Sequence, residues 1–124
     1  MTAKLIAVVD DDESVRSALT AALQAEGLQA IGFDSAESFL SFRPLADVGC
    51  LITDLTMPGM SGIELQSKLL LERYLIPVIF MTAHNVPELR KQAIAAGAIA
   101  FLEKPFDDAF LLDTVRKIVE HGAS

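Results

Sequence analysis

Apolar residues along this chain alternate between short unbroken runs and longer stretches of helical spacing. The runs are Leu5–Val9, Leu28–Phe33, Leu51–Thr53, Val78–Met81 (opened by Pro77) and Ile99–Leu102. Each has the length of a strand buried on both faces. Between them, Val15, Leu19, Ala22 and Leu23 share one face of a helix from Glu13 to Glu26, which Gly27 stops. Ser35 caps a short helix carrying Ala36, Phe39 and Leu40 inward, and Pro44 lies past its end. Met57-Pro58-Gly59-Met60 is a loop, after which Ser61 and Glu64 form a capping box and Leu65 and Leu69 face inward. Asn85 and Pro87 open a fourth helix that Gly97 closes. Asp107 or Asp108 caps a fifth, with Leu111, Val115 and Ile118 inward. Strands alternating with helices predict a doubly wound α/β fold: a parallel sheet covered on both faces with right-handed crossovers.

Composition narrows the picture. The chain has 124 residues, 52% of them hydrophobic, which suits one domain with a substantial core. The formal charge of −7 argues against direct nucleic-acid binding. Cys50, the single cysteine, has no internal disulfide partner and reads as a small buried hydrophobe. There is no signal peptide and no apolar stretch of membrane-spanning length, so the expected location is the cytoplasm. His84 and His121 lack ligand partners at zinc spacing.

Chemistry gathers at the run ends. The first run leads into Asp10, Asp11 and Asp12, the third into Asp54, the fourth into Thr82, and the fifth into Glu103, Lys104 and Pro105. In an open parallel sheet, ligands sit at the carboxyl ends of the strands. The run ends therefore converge on an acidic, cation-requiring phosphoryl site. Crowded carboxylates repel and raise a pKa, and a divalent cation removes that conflict. Oxygen-only donors suit Mg²⁺. Asp11 and Asp54 are read as direct ligands, Asp10 as acting through water, and Asp12 as a helix cap. A carboxylate beside Mg²⁺ can itself attack phosphorus. Lys104 then neutralises phosphoryl oxygens, and Thr82, with backbone N–H groups near Thr56 and Ala83, donates hydrogen bonds. A turn at Lys104-Pro105 would aim Lys104 back over the sheet edge, with the isomer of that bond left open.

These residues resemble a known family. Asp10-Asp11, Asp54 with Met57-Pro58 and Ser61-Gly62, Thr82-Ala83 and Lys104-Pro105-Phe106 are similar to the receiver domain of bacterial two-component response regulators, most like the FixJ/NarL kind. The resemblance covers almost the whole chain. It implies a flavodoxin-like (CheY-like) sheet of order 2-1-3-4-5 with five helices. It implies phosphoryl transfer from a sensor histidine kinase, or a phosphotransfer protein, to Asp54. Asp10, Asp11, Asp54 and the backbone carbonyl of Thr56 would hold Mg²⁺ (or Mn²⁺). Thr82 and Lys104 would contact the phosphoryl oxygens, Phe101 would be the aromatic switch, and Thr56 and His84 would tune phosphoryl lifetime. The expected output is a changed face on the fourth helix, fifth strand and fifth helix. From Pro87 to Ala100 that face would take a partner or a second copy of the chain, its mild surface left by Ala95, Ala96, Ala98 and Ala100.

Residues 1–124 are thus expected to form a single receiver domain without an output domain, either stand-alone or a fragment of a longer regulator. It would be a signalling module that promotes only its own phosphorylation and dephosphorylation. A phosphatase of the haloacid dehalogenase type needs a second Asp two residues after the nucleophile, and Thr56 stands there. A phosphorylation-independent interaction module would not need the intact acidic pair, Thr82 and Lys104.

Overall fold

Each apolar run is followed by a helix that returns the chain to the same end of the sheet, so the strands pair in parallel. The computed structural model describes residues 4–42, 44–83, 86–104 and 107–121. Strands β1 (Leu5–Val9), β2 (Ala30–Phe33), β3 (Val48–Asp54), β4 (Val78–Thr82) and β5 (Ala100–Glu103) line up in the order β2-β1-β3-β4-β5. Helices α1 (Glu13–Ala25), α2 (Ala36–Leu40), α3 (Gly62–Leu71), α4 (Pro87–Ala95) and α5 (Asp108–His121) connect and cover them. This is the flavodoxin-like arrangement expected.

Successive strand residues point to opposite faces, and the core divides accordingly. Ala7, Val9, Leu51 and Phe80 pack with Phe39, Leu65 and Leu69 under α2, α3 and α4. Ile6, Val8, Ile52, Ile79 and Met81 pack with Leu19, Leu23, Leu111 and Val115 under α1 and α5. Burying one such side chain contributes about 1.5–3 kcal/mol. Cys50 lies wholly in the second layer, where burial pushes its thiol up to about 12.

The expected caps form. Asp12 Oδ1 accepts the N–H groups of Ser14 and Val15, so Asp12 caps α1. Ser61 and Glu64 close a reciprocal capping box on α3. Of the two aspartates before α5, Asp107 is the cap, accepting the Ala109 N–H at 2.9 Å.

Four of the five strands differ from expectation at their ends, and β3, at Val48–Asp54, is longer at both ends than the expected Leu51–Thr53. β2 starts at Ala30 rather than Leu28, because Leu28 completes the end of α1. Its N–H reaches the Leu23 carbonyl while Gly27, at φ 81°, reaches Gln24. β4 starts at Val78, since Pro77 contributes only its carbonyl, to the Leu51 N–H. β5 runs one residue later than expected, because pairing with β4 continues to Thr82 opposite Glu103, while Ile99 turns out to solvent. Asn85, His84, Pro105, Phe106 and residues 122–124 lie outside the described residues.

Candidate functional site

Four strands deliver the polar cluster. β1 ends immediately before Asp10, and β3, β4 and β5 end at Asp54, Thr82 and Glu103. Register sets Asp54 opposite Met81 and Thr82 opposite Glu103, so the chemistry-bearing ends are level. The Lys104 N–H then bonds the Thr82 carbonyl at 2.7 Å, which carries the β4–β5 pairing one residue past Glu103.

Asp10, Asp11 and Asp54 each bring a carboxylate oxygen within 4.8 Å of the others. Lys104 Nζ lies 3.0 Å from Asp10 Oδ2 and 3.2 Å from Asp54 Oδ2. Asp10 is wholly buried, and all its polar atoms are occupied. Its N–H donates to the Phe33 carbonyl, and its carbonyl accepts from Arg16. Its Oδ1 accepts the Asp12 N–H, and its Oδ2 accepts Lys104. Asp11 is exposed, and Asp54 Oδ1 accepts a long bond, 3.4 Å, from the Thr56 N–H.

The electrostatics follow from one ammonium shared by two buried carboxylates. Burial raises the Asp54 carboxyl above its ordinary range; Lys104 pulls it down and Asp10 pushes it up again. For Lys104, burial disfavours the charge, but hydrogen bonds and attraction from Asp10 and Asp54 outweigh it and raise its pKa. The two directions agree physically: Lys104 gains from both partners, whereas Asp54 receives half of one cation and faces a second anion. The carboxylate set is therefore short of positive charge. Its donors are all oxygens, which fits a hard divalent cation.

Thr82 is buried at the end of β4 and Phe101 is half-buried on β5. The Phe101 ring leans on Phe80 at 6.3 Å, and the Arg90 guanidinium of α4 sits 5.8 Å from its centre. His84 lies outside the described residues. On the face expected to change, Ala95 is exposed as expected and Ala96 is half-buried, whereas Ala98 and Ala100 are half-buried and pack against the two core layers. The larger exposed apolar side chains there are Ile94, Ile99 and Phe110, at 50%, 54% and 54% exposure.

Sequence reasoning missed Glu37 and Arg16, and took Gly62 only as part of a motif. Gly62 opens α3 directly against Asp54: a Cβ there would stand 2.3 Å from the Asp54 carbonyl oxygen. Glu37 of α2 anchors the β3–α3 loop through the Met60 N–H at 3.2 Å. Arg16 holds the Asp10 carbonyl at 2.7 Å. A glycine just inside a capping box and a cation near a helix N-terminus were the available signals, since both oppose local preference.

Known proteins resemble this chain in sequence and fold. The sequence profile described as the response regulator receiver domain matches residues 6–116. The transcriptional regulatory protein FixJ of Rhizobium meliloti is 40% identical over 121 residues, 98% of this chain and 59% of that protein. Nodulation protein W of Bradyrhizobium diazoefficiens is 38% identical over 114 residues, 92% of this chain and 50% of that protein. Among solved structures, FixJ-N superposes with a TM-score of 0.85 at 40% identity, covering 98% of this chain and 97% of that one. The response regulator StyR superposes with a TM-score of 0.90 at 43% identity, covering 98% and 62%. The chain spans somewhat over half the length of FixJ and half that of nodulation protein W.

Proposed function

This chain belongs to the response regulator receiver domain family, a signalling module of two-component systems, and on that premise we propose that phosphorylation of Asp54 switches it between two packings. The observation that carries the proposal is the placement of Lys104 Nζ between Asp10 and Asp54, with Asp11 close by and exposed. Asp54 Oδ, ionised, attacks the phosphorus of a phosphohistidine on a sensor histidine kinase or phosphotransfer protein. The P–N bond breaks and the imidazole leaves. Asp11, Asp54 and the Thr56 carbonyl would hold Mg²⁺ or Mn²⁺, with Asp10 acting through water. That cation supplies charge neutralisation at the phosphoryl oxygens. Lys104 leaves its carboxylate partner for a phosphoryl oxygen, and the Thr82 hydroxyl turns to donate to another. Thr56 and His84 set how long the phosphoryl group survives.

The new charge is read out through packing. Movement of Thr82 opens space beside β4 that Phe101 fills, and α4 with Arg90 follows the ring. This is a shift between populations rather than a push. The α4, β5 and α5 face, with exposed Ile94, Ile99 and Phe110, then meets a partner or a second copy. No described helix is long and apolar enough to cross a membrane.

Intact mass measurement after incubation with acetyl phosphate and MgCl₂ tests the acceptor. One added phosphoryl group is expected on the parent chain and none on Asp54→Asn. Equal labelling of the two would overturn the assignment. Size-exclusion with beryllofluoride tests the face: an unchanged elution position removes the second copy as its occupant.

A further inference from the structure

Asp10 offers four polar groups, and three of their partners were foreseeable from a strand, a turn and an ion pair. The fourth was not. Its carbonyl accepts Arg16 Nη1 at 2.7 Å, the shortest bond at the acidic group. That carbonyl belongs to the peptide joining Asp10 to Asp11, so its direction sets where the exposed Asp11 carboxylate emerges. A cation in the opening turns of a helix opposes the helix dipole, and Arg16 stands only four residues beyond the Asp12 cap. Its placement therefore has a local cost that a contact elsewhere must offset.

The route of its stem is as specific as its end. Gly32, on β2 opposite Val8, lies under the arginine. A Cβ built there would stand 2.7 Å from Arg16 Cγ and 3.0 Å from Cδ. Those are mid-stem atoms, unable to swing aside while the guanidinium keeps its bond. Gly32 thus leaves a slot, and the slot leads the stem to the Asp10 carbonyl. We propose that Arg16, threaded through this slot, is a positioning residue that fixes the Asp10–Asp11 peptide and so sets the divalent-cation affinity of the acidic group. The inference rests on the cation site proposed above and adds a device that governs it.

Calorimetric titration with MgCl₂ on the folded chain tests it, using Gly32→Ala, Arg16→Ala and the double variant. Gly32→Ala keeps every charge, yet its Mg²⁺ affinity should fall about tenfold, the lower end for residues that orient ligands. Arg16→Ala should fall similarly. The double variant should be no weaker than Arg16→Ala, because an added methyl has room once the stem is gone. A purely electrostatic Arg16 would do the opposite: losing a nearby cation would tighten Mg²⁺, and Gly32→Ala would change nothing. Either result overturns the proposal, as does a loss in the double variant equal to the sum of the two single losses. If the parent chain binds no Mg²⁺, the cation site and this inference fail together. If it binds and the variants match it, the inference alone fails.

Discussion

Replacing Lys104 with methionine removes the ammonium and keeps an unbranched stem of similar reach. It leaves Asp10, wholly buried, and Asp54, with a side chain 12% exposed, facing each other without a counter-charge. Breaking a fully buried pair costs about 3–5 kcal/mol. An exposed pair is worth about 0.2–1 kcal/mol. Lys104 is 20% exposed, so water screens part of the loss, and a figure of about 1–3 kcal/mol follows. The raised Lys104 pKa places the whole contribution below the alkaline range, so it is fully present at neutral pH and lost only as pH climbs through that raised value. Mg²⁺ should discriminate this mechanism from a packing defect. The ammonium and a divalent cation compete for the same carboxylates, so Lys104→Met should bind Mg²⁺ more tightly than the parent. Tenfold tighter binding returns about 1.4 kcal/mol under saturating metal. Urea unfolding followed by far-ultraviolet circular dichroism suits a chain with no tryptophan and one tyrosine. Measured in chelator and again in MgCl₂, the stability gap between parent and variant should narrow by about half or more. A gap of the same size in both buffers would refute the charge argument.

Two further outcomes follow from the same geometry. Burial, opposed by Lys104 and reinforced by Asp10, raises the Asp54 pKa, so Asp54 contributes stability at acid pH that is lost as pH rises through its folded pKa. In chelator, Asp54→Asn should therefore match the parent at about pH 4, the ordinary aspartate value, and gain on it as pH rises towards neutrality; urea midpoints falling in the reverse order would contradict the stated cause. Gly62→Ala drives a methyl against the Asp54 carbonyl oxygen and, at 3.0 Å, the Phe80 ring. Overpacking of this kind costs about 1–3 kcal/mol, and acetyl phosphate labelling should slow with it; unchanged unfolding and labelling would show that α3 shifts freely.

The sequence revealed what depends on local periodicity. Alternation and run length gave the five strands, because a strand buried on both faces must be apolar throughout. Caps were legible because Ser61, Glu64 and Asp107 bond backbone groups within three residues of themselves. The strand ends brought Asp10, Asp54, Thr82 and Lys104 together on paper, as parallel register brings them together in space. What stayed hidden depends on contacts between distant segments. Leu28 looked like strand because nothing in its identity says that its N–H closes α1. The slot at Gly32 and the close approach at Gly62 are shapes left by other elements, visible only once α1 lies on β2 and α3 on β3. The alanines after α4 looked like surface because small residues give no sign of which side they pack.

The acidic pocket and the α4 face are joined by backbone, and this limits how a change at one can reach the other. The Lys104 N–H is bonded to the Thr82 carbonyl, and the Leu55 N–H to the Met81 carbonyl. The peptides after Asp54 and Glu103 are therefore both bonded to the end of β4, through its successive Met81 and Thr82 carbonyls. A charge added at Asp54 cannot draw in the Lys104 ammonium without loading the end of β4 as well. Two residues back along that sheet, Phe80 and Phe101 are paired in register and lean together. Beyond them stands Arg90, which holds no ion pair among the described residues and rests over the Phe101 ring instead. Such a cation–π contact is worth about 0.5–1 kcal/mol at a half-exposed site. The exchange proposed above, of Phe101 from its place under Arg90 to one beside Thr82, would fall within the about 1–3 kcal/mol typical of coupling between sites. α4 is also the weakest-fixed helix on that face: its N-cap, Val86, makes no side-chain cap, and Ala93 is its only fully buried described residue. The helix with least to lose therefore carries the cation that rests over the Phe101 ring.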